Sequence, residues 1–127
     1  MNSTRNLAWP LILTFLIIMV WMPFEGIFWL VLSVGVLLTL VWGSVVYQST
    51  FLQGWGLNAR LAALGGMAGL AAPAVVLALM VLKTGVHAHG PEFTPAEISW
   101  ITNQFFIWPF VAGLIGYGIG LLKASQT

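Results

Sequence analysis

The run from Leu7 to Tyr47, LAWPLILTFLIIMVWMPFEGIFWLVLSVGVLLTLVWGSVVY, carries one formal charge, Glu25, and its reading decides the fold. As a single helix it would extend about 60 Å, roughly twice the hydrocarbon thickness of a bilayer. The chain must therefore turn within it. Pro23 lacks an amide donor, Glu25 prefers the membrane interface and Gly26 tolerates unusual dihedrals, so the segment Pro23-Phe24-Glu25-Gly26 predicts a tight reversal between two crossings. Arg5 ahead of this apolar run has the look of a signal peptide. No small-residue cleavage pattern follows, because Trp21, Met22, Pro23 and Phe24 are bulky or rigid there, so the segment reads as a retained anchor.

Two further apolar stretches, Leu61 to Leu82 and Ile98 to Leu122, are each long enough to span once. The sequence thus predicts an all-α membrane protein. Its four transmembrane helices cover roughly residues 7–23, 26–47, 60–83 and 94–122, forming one integral membrane domain over residues 1–127. Composition agrees: 60% of residues are hydrophobic and 6% charged, with a mean hydropathy of +0.99, against roughly a quarter charged in ordinary soluble domains. Thr94-Pro95-Ala96-Glu97 reads as a capping box that starts the fourth helix. Pro73 and Pro109 each remove one backbone hydrogen bond, from the carbonyls of Gly69 and Phe105, and predict kinks in helices three and four.

Charge sets the expected orientation. Four crossings place Arg5, Arg60 and Lys123 on one side and Lys83 alone on the other, so the positive-inside rule puts both termini in the cytoplasm of an inner or plasma membrane. Three to one is a modest bias that leaves dual insertion open. Trp9, Trp42 and Trp55 fall near the cytoplasmic interface, and Trp21, Trp29 and Trp100 near the opposite one, as aromatic belts require.

Small residues recur every fourth position at Gly35, Thr39 and Gly43, at Gly65 and Gly69, and at Ala112, Gly116 and Gly120. Such faces let backbones approach closely where lipid supplies little hydrophobic drive for association. They serve either packing within the bundle or contact with other membrane subunits, including further copies of the chain.

The chemically capable side chains are concentrated on the non-cytoplasmic side. His87 and His89, two residues apart, would point the same way in an extended segment, and with Glu92 and Glu97 they form a candidate set for a divalent transition metal. Glu25 and Asn103 are the candidate supporting residues around it. The competing reading is a solvated loop, since histidine and glutamate are expected wherever membrane loops meet water. Proton sensing by the histidines is a third reading, which nothing in the sequence selects.

Several classes are excluded or weakened. No basic run exists to neutralise nucleic-acid phosphates. With no cysteine, thiolate metal sites, disulfides and thiol nucleophiles are absent. No ionisable group lies near the middle of a span, as proton-coupled carriers usually require, and no nucleophile, base and orienting group can be assembled for an enzyme. The expectation is a non-enzymatic accessory or structural subunit of a membrane complex, with a metal-binding or small-solute transport protein built on the His87/His89 cluster as the alternative.

Overall fold

A computed structural model describes residues 5–24, 27–49, 52–87 and 92–127. These residues form four helices and no strand: α1 (Arg5–Trp21), α2 (Phe28–Gln48), α3 (Leu57–Val86) and α4 (Pro95–Ser125). The last three are long and apolar enough to cross a membrane, whereas α1 contributes a shorter apolar run, Leu7–Trp21. At 1.5 Å per residue, α3 and α4 are each about 45 Å long and α1 about 25 Å. The long pair must tilt or project beyond the hydrocarbon.

Helix ends depart from the sequence expectation for local reasons. α1 stops at Trp21, ahead of Pro23, and the Phe24 amide donates back to the Trp21 carbonyl at 3.1 Å. Ile27, in an extended conformation, is the N-cap of α2; the intervening Glu25 and Gly26 lie outside the described residues. α3 starts early, after Gly56, and continues to Val86, past the expected end at Lys83. The expected capping box at Thr94 forms: Glu97 N–H donates to the Thr94 hydroxyl at 3.2 Å and the Thr94 amide donates to Glu97 Oε2 at 2.7 Å. α3 and α4 run unbroken through Pro73 and Pro109, with Pro73 fully buried and Pro109 set against the other helix of the pair at Gly69.

The helices pack in chain order, each antiparallel to the next. α3 and α4 share the most extensive interface, α2 lies on α3, and α1 lies on α2. Glycine explains the first of these. A Cβ added at Gly65 would overlap the Ala112 carbonyl, one at Gly69 the backbone of Trp108 and Pro109, and one at Gly116 the Leu61 carbonyl. At Gly120 it would stand 2.7 Å from Asn58 Cα. The two small-residue faces therefore meet each other along the α3–α4 seam, backbone against backbone. Gly35 on α2 accommodates Val76 of α3, but Gly43, two turns further on, faces open space. α1 is held to α2 partly by the Trp42 indole N–H, which donates to the Thr14 hydroxyl at 3.0 Å.

The core occupies the end of the array where α1 runs into α2 and α3 into α4. Trp21, Val31, Val34, Leu38, Val76, Leu79, Met80, Phe93 and Ile101 form one buried cluster. Trp21 is thus a core residue, which corrects its placement in an interfacial belt, while Trp9, Trp29, Trp55 and Trp100 are exposed. Most of the remaining large apolar side chains also face outward, among them Phe15, Leu40, Val81 and Phe106. That inside-out character is what lipid solvation permits.

Candidate functional site

The ends of the α3–α4 connection bring together two of the sequence-derived candidates, His87 and Glu92. His87 terminates α3, its amide donating to the Lys83 carbonyl at 3.0 Å. Across the connection, His87 Nδ1 lies 2.8 Å from Glu92 Oε1, with the Glu92 side chain largely buried. The imidazole and the carboxylate therefore close the loop by pairing its two ends. Phe93, next along, inserts into the core and fixes Glu92 in place.

Glu97 and Asn103, the other described candidates, are not gathered there. Glu97 spends one carboxylate oxygen on the capping box of α4, a local reason for a glutamate at that position. Asn103 and Ser99, four residues apart on α4, are both exposed and face away from the protein. His89 and Glu25 lie outside the described residues, so their relation to His87 stays a sequence expectation. Among the described residues no group of three histidine, aspartate or glutamate side chains is placed to hold a metal. A histidine–carboxylate pair alone supplies two donors, whereas a transition-metal site needs three or four from the protein.

The capping box carries its own test. Thr94→Ala removes the side-chain acceptor for the Glu97 amide and keeps the residue-94 amide that donates to the Glu97 carboxylate. A loss of about 1 kcal/mol in unfolding free energy, measured by denaturant titration in detergent, is the expected outcome.

Two cations outside the expected set have specific roles. Lys83 is fully buried, its ammonium donating to the Phe24 carbonyl just past the end of α1 and lying 4.6 Å from the centre of the Trp21 ring. The positive charge meets the carbonyl-rich C-terminal end of α1, where the helix dipole favours a cation. Lys83 thereby ties α1 to α3, which otherwise touch little. The signal was present in the sequence: Val76, Leu79, Met80 and Lys83 stand at i, i+3, i+4 and i+7, the register of one buried stripe. At the opposite end of the array Arg60 donates to the Tyr47 carbonyl and stacks over the Tyr47 ring at 4.2 Å, joining α3 to α2.

Gln104 is the buried polar residue of α4, its amide donating to the Trp100 carbonyl at 2.9 Å within the helix. Around it Phe28, Trp100 and Trp108 meet edge to face, with ring centres 5.5 and 6.2 Å apart. Most of the polar groups placed here serve helix ends and helix–helix ties. No protein-family model matches this chain, and neither the curated proteins nor the solved structures contain a significant match to it.

Proposed function

We propose that the chain is a non-catalytic accessory or structural subunit of a membrane complex, with α4 as its partner-facing helix. The observation that carries this reading is the outer surface of α4. Its most apolar 18-residue window is only 6% buried within the chain, and Phe106 and Phe110 are 84% and 69% exposed. Asn103 lies on the same exposed side, one turn before Phe106. An uncharged amide on an apolar span is a common means of joining one membrane helix to another by hydrogen bonding. Support for a non-catalytic role comes from the engagement of Glu97, Lys83 and Arg60 in caps and backbone contacts. The sequence bias of Arg5, Arg60 and Lys123 towards one end supports cytoplasmic termini.

A photo-crosslinking residue at Phe106 or Phe110, with one at Val81 on α3 as comparison, tests this in native membranes. The expected result is one discrete protein adduct common to both α4 positions, absent from Val81 and weakened by Asn103→Leu. Crosslinking to lipid alone at all three positions would count against a subunit role. An adduct of twice the chain's mass would identify the partner as a second copy.

The 2.8 Å His87–Glu92 pair favours a second reading, metal binding at the loop, with His89 as the further ligand. Zinc titration of the purified protein distinguishes the two. The metal reading requires a rise in thermal stability that His87→Ala abolishes, whereas the subunit reading expects none.

A further inference from the structure

Between α2 and α3 runs an apolar groove of about 180 Å³, lined by Thr39, Trp42, Gly43, Val46, Leu64 and Met67 among others. Its floor is open because a Cβ on Gly43 would meet nothing within 4 Å. One helical turn beyond Leu64 on the same face of α3 is Arg60, and one turn beyond Gly43 on α2 is Tyr47. These two residues touch, so the Arg60–Tyr47 pair stands one turn beyond the groove lining, at the end of the array nearer the chain termini.

The charge at this end is of one sign. All three acids of the chain, Glu25, Glu92 and Glu97, belong by sequence to the opposite end, while Arg5, Arg60 and Lys123 belong to this one. Arg60 is only partly buried, and while its Nε is enclosed, the Tyr47 carbonyl takes only one hydrogen bond from its Nη groups. Those outer N–H groups have unused donor capacity, and none of the three acidic side chains belongs to this end to compete for them. Trp42 and Tyr47 place the groove mouth at the depth where amphipathic aromatic side chains meet lipid headgroups.

We propose that the groove and Arg60 together form a binding site for an anionic phospholipid, with the headgroup phosphate on the guanidinium and an acyl chain lying between α2 and α3. The chemistry selects this occupant. A guanidinium matches phosphate oxygens in geometry and charge, and basic pockets between membrane helices hold anionic headgroups for that reason. A free phosphate would leave the apolar wall unused. A zwitterionic lipid would bring an ammonium group into a region already cationic. The site does not depend on α4 having a protein partner.

Native mass spectrometry of the detergent-solubilised protein, titrated with phosphatidylglycerol, phosphatidylcholine or glycerol phosphate, tests the proposal. Wild type should retain phosphatidylglycerol with about tenfold preference over phosphatidylcholine and should not retain glycerol phosphate. Arg60→Gln should abolish the preference while residual binding of both lipids persists, and Arg60→Lys should preserve part of it. Gly43→Leu, which fills the groove and leaves Arg60 intact, should reduce retention of both lipids. Unchanged preference in Arg60→Gln, or unchanged retention in Gly43→Leu, would overturn the site. Glycerol phosphate bound as well as phosphatidylglycerol would do the same, by showing an ion site without an acyl groove. If Arg60→Gln fails to fold, judged by circular dichroism, the Gly43→Leu and glycerol phosphate arms decide the matter.

Discussion

Gly116→Ala is expected to destabilise the protein, while Gly118→Ala, two residues along the same helix, is expected to leave it unchanged or slightly more stable. Both substitutions relieve the same backbone entropy and improve helix propensity by about 1 kcal/mol. They differ in what the new methyl meets. At Gly118 nothing lies within 4 Å, but at Gly116 the methyl would overlap the Leu61 carbonyl and approach the Leu61 carbonyl carbon to 2.6 Å. Backbone cannot rotate aside as a side chain can, so the seam must separate along part of its length. Overpacking of this kind costs about 1–3 kcal/mol and occasionally more, and here it also weakens neighbouring contacts at Gly65 and Gly120. Gly116→Leu should prevent normal assembly of α3 with α4 altogether. Unfolding titrations in mixed detergent micelles, with circular dichroism as readout, measure the difference between the two alanine variants. Equal stability of Gly116→Ala and Gly118→Ala would mean that the seam is not as close as described.

Lys83→Ala is the second change with a large expected effect. It opens a cavity at a fully buried position, leaves the Phe24 carbonyl without its donor and removes the cation over Trp21. Loss of a charged hydrogen bond together with loss of packed methylenes leads to an expected destabilisation of about 3–4 kcal/mol. Lys83→Met keeps most of the volume and separates the two contributions, so it should lose roughly half as much. A double-mutant cycle between Lys83→Met and Trp21→Leu isolates the ring contact, with an expected coupling of about 1–2 kcal/mol for a desolvated cation over indole. Because α1 has few other ties to α3, protease cleavage in the α1–α2 region should accelerate more than cleavage elsewhere. A wild-type unfolding midpoint for Lys83→Ala would show that α1 is anchored by other means.

The helical fold was legible because its determinants are local and additive. Apolar run length separates spanning segments from connections, and Thr94-Pro95-Ala96-Glu97 specifies a helix start through bonds made within four residues. Small residues at a spacing of four likewise mark which helix faces can approach closely. Lys83 was harder to place, since its charge argues for a loop while its register with Val76, Leu79 and Met80 argues for the buried face. The register prevails because the end of another helix supplies a carbonyl and an aromatic ring to receive the ammonium.

The candidate site was less legible for the same reason. That His87 pairs with Glu92 requires the loop to fold back on itself, and that Asn103 faces outward while Gln104 faces inward turns on the rotation of α4 about its axis, which a seam of glycines fixes. By itself the sequence determined the number of helices, their apolar character and the chemistry available at each end, since these depend on residue type and spacing along the chain. Only the tertiary structure decided that Gly65 receives Ala112, Gly69 receives Trp108 and Pro109, and Gly116 receives Leu61, that Gly43 receives nothing, and that Lys83 and Arg60 tie opposite ends of the array. A contact between helices depends on their relative rotation and height, and those are set by all the packed residues together.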